Sequence, residues 1–346
     1  MKLNKTKTVL ITGILMAILL CLVIFSADAK LGAKDGIALC ENVIIPALLP
    51  VLIVTNIVIN TNCRRLFEKA FGIITVKLFR LPRCATSAII FGLIGGYPAG
   101  ALLTNQLFIN KMIDENQARR IMRFNFCGGV AFVITAVGTI TMKSTAYGIV
   151  LYAINVIASI IIGIVSALFY PKIKPNGQIT SYPLTLSQAI VQSVEQTVKS
   201  LLIMSGYIIM FSAISIMVDL PQELTPLLEI TNGICKTKKH FSLNMIASFL
   251  SFGGLCIHLQ LMGVLNNIKM KYYDFLIWRI VSALLSFGLG YLYLLLFPES
   301  ISVFSNMSQP TPQLFQVNTG FSLIMILGCI VLIFDIEGRK KYHSAI

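Results

Sequence analysis

Charge is scarce in this chain. Asp, Glu, Lys and Arg make up 12% of the 346 residues, where a soluble domain carries about 25%. Acid is scarcer than base, with 14 Asp and Glu against 28 Lys and Arg. Histidine occurs three times and H-E-x-x-H never, so a zinc protease has no support. The eight cysteines (Cys21, Cys40, Cys63, Cys84, Cys127, Cys235, Cys256, Cys329) form no C-x-x-C pair. Most lie in or beside apolar runs and read as small hydrophobes, not as a disulfide framework or a zinc site. No basic stripe interleaved with aromatic residues stands on a polar domain, which excludes a nucleic-acid partner despite the net charge of +14. No hydrolytic or redox constellation is visible. An enzyme is therefore not expected, nor a cofactor, nor a metal site.

What the chain has is apolar length. Hydrophobic residues reach 56% and the mean hydropathy is +0.82. That composition implies an all-α polytopic membrane protein integral to a cell membrane. The basic residues fall in short tails and loops, where Lys and Arg face the cytoplasm and anionic lipid of the bilayer.

Read in order, the chain divides as follows. Residues 1–36 hold a first span, Thr8–Ala27, and a polar link, Asp28–Gly36. Ala27-Asp28-Ala29 resembles a signal-peptidase site, though an uncleaved span is the preferred reading. A first repeat, 37–175, opens with the span Ile37–Asn60, where Pro46 and Pro50 lie one turn apart and predict a kink. The basic stretch Arg64–Pro82 reads as an amphipathic helix in the interface plane. A hairpin over 83–110, a polar connector 111–120 and spans Arg123–Met142 and Thr145–Tyr170 follow. The loop 171–183 separates the halves. The second repeat, 184–334, holds an amphipathic approach Leu184–Ser200, the span Leu201–Val218, a short segment Leu227–Cys235, a hairpin over 241–267, and spans Phe275–Phe297 and Asn318–Phe334. A tail covers 335–346. This gives about seven to eight transmembrane spans plus two re-entrant hairpins.

The organising stretch is Phe91–Gln106, FGLIGGYPAGALLTNQ. Pro98 cannot donate a backbone hydrogen bond and disfavours helix at Tyr97. Gly95, Gly96 and Gly100 permit backbone angles that other residues resist. The arms Ala85–Ile94 and Ala99–Ile109 are about ten residues each. Each reaches roughly 15 Å, half of a hydrocarbon core of about 30 Å. That is the length of a re-entrant hairpin with its tip near the midplane; one kinked spanning helix is the plainer alternative. A second break repeats it at Gly253–Gly254, inside FLSFGGLCIHLQL. An arginine follows each break into the next span, Arg123 at 27 positions after Gly96 and Arg279 at 26 after Gly253. Paired breaks in two halves point to a transporter binding site.

Topology leaves two arrangements. With the N-terminus inside, 15 of the 28 basic residues share the cytoplasm through the N-terminal tail and three loops of the first half. Inverting the second half would put Lys236, Lys238, Lys239, Lys269, Lys271, Arg339, Lys340 and Lys341 outside, against the positive-inside rule. Inverted repeats are favoured, with parallel repeats as the alternative.

Several polar residues at membrane depth are candidates to bind substrate. Glu229, in LLEITNGI, reads as a proton or cation site or as an acceptor for substrate, or else as an interfacial acid paired with Lys236 or Lys238. Thr231 and Asn232 offer neutral hydrogen bonds beside it. Arg123 and Arg279 present planar forks suited to carboxylates, or else snorkel to the interface; Arg119 and Arg120 read as loop and lipid-headgroup residues. His258 and Gln260 follow the second glycine pair, where His258 reads as a packing residue or as a proton-transfer or substrate contact. Asn105, Gln106 and Asn125 could hydrogen-bond substrate or one another. The half-helices after Gly100 and Gly254 present backbone N–H groups that favour anions.

Four pieces in order, GGYPAGALLTNQL, DENQARRIMRFN, LLEITNGI and SFGGLCIHLQ, resemble the YlbJ-type sporulation integral membrane proteins. These belong to the nucleoside-recognition Gate-domain superfamily, which includes concentrative nucleoside transporters. The resemblance runs from about Ile37 to Leu296. Gly96, Tyr97, Pro98, Gly100, Glu229, Thr231, Asn232, Gly233, Gly253, Gly254, His258 and Gln260 match its motifs. The chain departs from them at Leu102, where the family often has Lys, and at Cys127-Gly128-Gly129, where it often has S-G-P. The resemblance implies a carrier of dipicolinic acid in the outer forespore membrane during sporulation, working by alternating access. The alternatives are a carrier of nucleosides or another small metabolite, or a non-transporting membrane scaffold for spore-envelope assembly. The expected partners are a small organic anion and the lipid bilayer, and a homo-oligomer is compatible with this reading.

Overall fold

The computed structural model describes residues 5–171, 184–218, 221, 223–235 and 241–298. Among these residues there are helices and connectors and no strand. The loop boundary at 172–183, the expected span Asn318–Phe334 and the tail lie outside the described residues.

Helices α1 (Lys5–Ile24) and α2 (Ser26–Leu39) lead through a π-helical turn, Cys40–Ile44, into α3 (Ile45–Asn60). The expected polar link Asp28–Gly36 is therefore helical. The reason is packing. A Cβ on Gly32 would sit 2.6 Å from the backbone of Ala213, and one on Gly36 2.8 Å from that of Ile209. Glycines that let two backbones touch are how membrane helices associate. Pro46 and Pro50 both lie inside this continuous helical stretch, with the π-helical turn directly before Pro46.

Next come α4 (Cys63–Phe79), α5 (Ala85–Gly95), α6 (Ala99–Ile109) and α7 (Glu115–Phe124). A reciprocal cap starts α7. The Asp114 side chain accepts from Gln117 N–H at 2.8 Å, and Gln117 Oε1 accepts from Asp114 N–H at 3.0 Å. α4 ends on Arg80, in the left-handed region at φ 49. Arg120 is buried there. It donates to the carbonyls of Arg80, at 3.1 Å, and Phe79, and stacks 4.1 Å from the Tyr170 ring. The lipid-headgroup role read for Arg120 gives way to capping of α4.

The expected span Arg123–Met142 is interrupted. After α7 the chain is irregular over 125–129 and then forms a π-helical segment, Ala131–Thr141. Helix α8 (Thr145–Leu168) follows. In the second half the amphipathic approach and the next span are one helix, α9 (Leu186–Met217), begun by a reciprocal Thr185–Gln188 cap. Then come α10 (Thr225–Leu228), α11 (Ile230–Cys235), α12 (Leu243–Phe252), α13 (Gly254–Asn267) and α14 (Tyr272–Leu296).

Among the described residues, five helical stretches are long and apolar enough to cross a membrane: Ser26–Asn60, Thr145–Leu168, Leu186–Met217, Leu243–Asn267 and Tyr272–Leu296. Leu202, Leu284 and Leu295 point outward and are exposed, as a lipid-facing surface requires. Inside, α5 packs on α6, α2 on α9, and α12 on α14. Before the break at Gly253, α12 packs mainly on α14 and α8, whereas after it α13 packs mainly on α9, α10 and α6.

Candidate functional site

Three interruptions meet at the centre. The first is Gly96–Pro98, between α5 and α6. Gly96 has φ 75, and a Cβ there would stand 2.1 Å from the nitrogen of Gly129. The second is the irregular stretch 125–129, which therefore lies directly on the first. The Tyr97 N–H donates to the Cys127 carbonyl at 3.0 Å. Asn125 donates from Nδ2 to the Ala88 carbonyl at 2.8 Å. Gly92 and Gly100 clear its space, since a Cβ on either would come within 3 Å of it. The third is Gly253, φ 88, pressed against the ring of Phe126. The Tyr97 hydroxyl donates to the Leu250 carbonyl at 2.9 Å, joining the first break to the helix that ends at the third.

Freed backbone groups inside an apolar core need partners. Arg279 supplies two. It is fully buried. Nη1 donates to the Phe126 carbonyl at 2.9 Å and Nη2 to that of Arg123. The guanidinium lies 4.5 Å from the Phe126 ring centre and 5.3 Å from that of Phe275. Arg279 thus clamps the irregular segment. Arg123 pairs with Asp274 at 3.2 Å and lies over Trp278. His258 is buried among Phe126, Phe252, Tyr272 and Phe275. Its ring nitrogens contact the Phe252 carbonyl at 2.9 Å and the Tyr272 hydroxyl at 3.2 Å.

Glu229 interrupts α10 and α11, and only 1% of it is exposed. Its carboxylate accepts from the N–H of Thr231 at 2.9 Å and of Asn232 at 2.6 Å. This is an N-terminal cap, which satisfies donors that a helix start leaves free. Asn232 Nδ2 in turn donates to Ser212 Oγ.

A narrow chamber of about 30 Å³ lies between the interruptions. Space of this size holds one or two waters. Gly95, Tyr97, Gly129, Glu229, Thr231 and Gln260 line it, with Cys256 and Ile257 from the first turn of α13. The expected site residues therefore separate. Gly95, Tyr97, Glu229, Thr231 and Gln260 converge on the chamber. Gly96, Gly100, Asn125, Gly253 and Gly254 shape the breaks, with Pro98 starting α6. Asn232 anchors α11 to α9. Arg123, His258 and Arg279 hold the surrounding frame. Asn105 and Gln106 sit on α6, away from the chamber. Sequence reasoning missed Phe126, the ring against which Gly253, Arg279, Tyr97 and His258 all pack. Its signal was the adjoining Gly128–Gly129 pair inside an apolar run.

The fold and the broken core define a class, an integral membrane protein of several spanning helices with interrupted helices at its centre. The particular likeness is to the sporulation integral membrane protein YlbJ of Bacillus subtilis (strain 168), 22% identical over 81% of each chain. No family model matches this chain, and no solved structure matches it.

Proposed function

We propose that this chain is a membrane carrier of a small organic anion, with dipicolinic acid in the outer forespore membrane as the favoured substrate and place. The observation that carries the reading is the meeting of interrupted helices around a chamber. Such breaks leave N–H and C=O groups available at membrane depth, where carriers bind their cargo. The first turn of α13 faces the chamber through Cys256 and Ile257, and a helix start favours negative charge. On this reading α5–α6 and α12–α13 act as re-entrant elements of two repeats. The chamber, at about 30 Å³, widens on the same reading to take in a whole dipicolinate. The named relative is a sporulation protein, which supports the cellular setting.

The test is uptake of labelled dipicolinate into proteoliposomes, with thermal shift on the purified protein. Saturable uptake with stabilisation supports the carrier. Uptake of uncharged nucleosides in its place replaces the substrate and keeps the mechanism. Stabilisation by no small molecule replaces the carrier with a membrane scaffold.

A further inference from the structure

We propose that the cleft between α3, α6 and α9 is an outer vestibule that receives an aromatic carboxylate before it reaches the chamber, with Lys199 selecting for its negative charge. The inference rests on the carrier reading above and locates a second site for it.

The cleft has about 320 Å³ of free space, within the roughly 300–1,000 Å³ of small-molecule sites. It shares its walls with the chamber. On α3, Leu48 lines the chamber and Leu52, one turn later, lines the cleft. On α9, Met204 lines the chamber and Ser200, one turn earlier, lines the cleft. At the first break Tyr97 faces the chamber and Pro98 the cleft. The two cavities are consecutive compartments along one α3–α9 seam, divided by about one helical turn, or roughly 5 Å. A shift of that size along the seam joins them.

The lining matches one kind of ligand. Leu52, Leu102, Leu103 and Ile203 supply apolar lining, and Asn56, Gln106, Gln196 and Thr197 polar lining, with each of the three helices contributing both. Lys199 is the one ionisable side chain among the lining residues, and no acid joins it. A flat ring suits the apolar lining, and carboxylate oxygens suit the amide and ammonium donors. Lys199 is exposed on α9. Asn56 donates to Thr197 Oγ1 at 2.9 Å and fixes α3 against α9 at the cleft. An anionic lipid headgroup presents the same oxygens, so the test separates the two sources.

Dipicolinate uptake is measured in phosphatidylcholine liposomes, and again with phosphatidylglycerol added. Lys199→Gln is expected to raise KM about fivefold, the worth of one exposed ion pair, with the maximal rate unchanged. Lys199→Arg is expected to restore KM. Gln196→Cys is expected to react with a thiol reagent, read on its own peptide by mass spectrometry, and to be protected by dipicolinate. Normal KM in Lys199→Gln with no protection at position 196 overturns the vestibule and leaves the carrier standing. An effect of Lys199→Gln confined to the phosphatidylglycerol liposomes assigns the cleft to lipid and also overturns it. Absence of uptake by the unaltered protein overturns the carrier reading, and the vestibule with it.

Discussion

The Tyr97 hydroxyl and the Leu250 carbonyl, 153 positions apart, are joined by a hydrogen bond of 2.9 Å. Both groups are buried, and Tyr97→Phe leaves the Leu250 carbonyl without this donor. Tyr97→Phe is expected to cost about 1–3 kcal/mol, the penalty of a buried carbonyl left unpaired. Thermal unfolding in detergent measures it. An unchanged midpoint would refute a stabilising role for this bond.

Gly96 and Gly263 make a matched pair of tests. Gly96 combines φ 75 with a Cβ position 2.1 Å from the Gly129 nitrogen, whereas nothing lies within 4 Å at Gly263 in α13. Gly96→Ala is expected to abolish folded protein, read by size-exclusion yield. Gly263→Ala is expected to gain about 0.5–1 kcal/mol from helix propensity.

Arg279 holds two carbonyls with one planar fork. A lysine at this position would keep the charge and lose that geometry, so Arg279→Lys is expected to destabilise by about 2–3 kcal/mol. Proteolysis within 125–129 is expected to accelerate. Equal stability of the variant would refute the clamp.

Glu229 accepts two backbone N–H groups with two oxygens. Glu229→Gln keeps one acceptor and sets an amide N–H2 against the other donor. The expected loss is about 1–2 kcal/mol, as for other lost caps. If the residue only caps, the pH profile of uptake stays that of the unaltered protein. A flattened profile would give Glu229 a proton-coupling role.

Glu68 on α4 is 2% exposed, 3.2 Å from Arg64 Nε, and accepts from Ser87 Oγ at 3.3 Å. Burial raises its pKa above the ordinary 4.5, against the opposing pull of Arg64. A carboxyl with a raised folded pKa contributes fully below the unfolded value and loses stability as pH rises through the folded one. Stability is therefore expected to fall on raising pH from about 4.5. Glu68→Gln is expected to remove that slope in a series of melts. A slope that survives the substitution would assign it to other groups.

The sequence made the two glycine breaks legible, because Pro98 and the Gly-Gly pairs leave few backbone solutions in an apolar run. It hid the third break. Residues 130–142 are apolar enough to read as a span, and Asn125 looks like an ordinary polar residue at its start. Only the three-dimensional approach of Gly129 to Gly96 shows why the helix stops. Asp28–Gly36 misled in the opposite direction, since its charges read as a loop while its glycines pack on α9. The roles of Arg279 and Arg123 were not legible either. A guanidinium satisfies main-chain carbonyls as well as a ligand carboxylate, and composition does not distinguish the two.

The 32 residues of α9 run for about 48 Å, well beyond a hydrocarbon core of about 30 Å. With its apolar half, from Leu201 onward, in the bilayer, the turns around Gln188, Gln192 and Gln196 stand among headgroups and water. On the carrier reading proposed above, a solute following this helix inward would exchange its hydration one turn at a time, first for amides, then for Ser200, then for Met204 and Ile208. Dehydration would then be spread over a ramp rather than met at a single barrier, and a charged solute would come close to an apolar core without a wide aqueous pore.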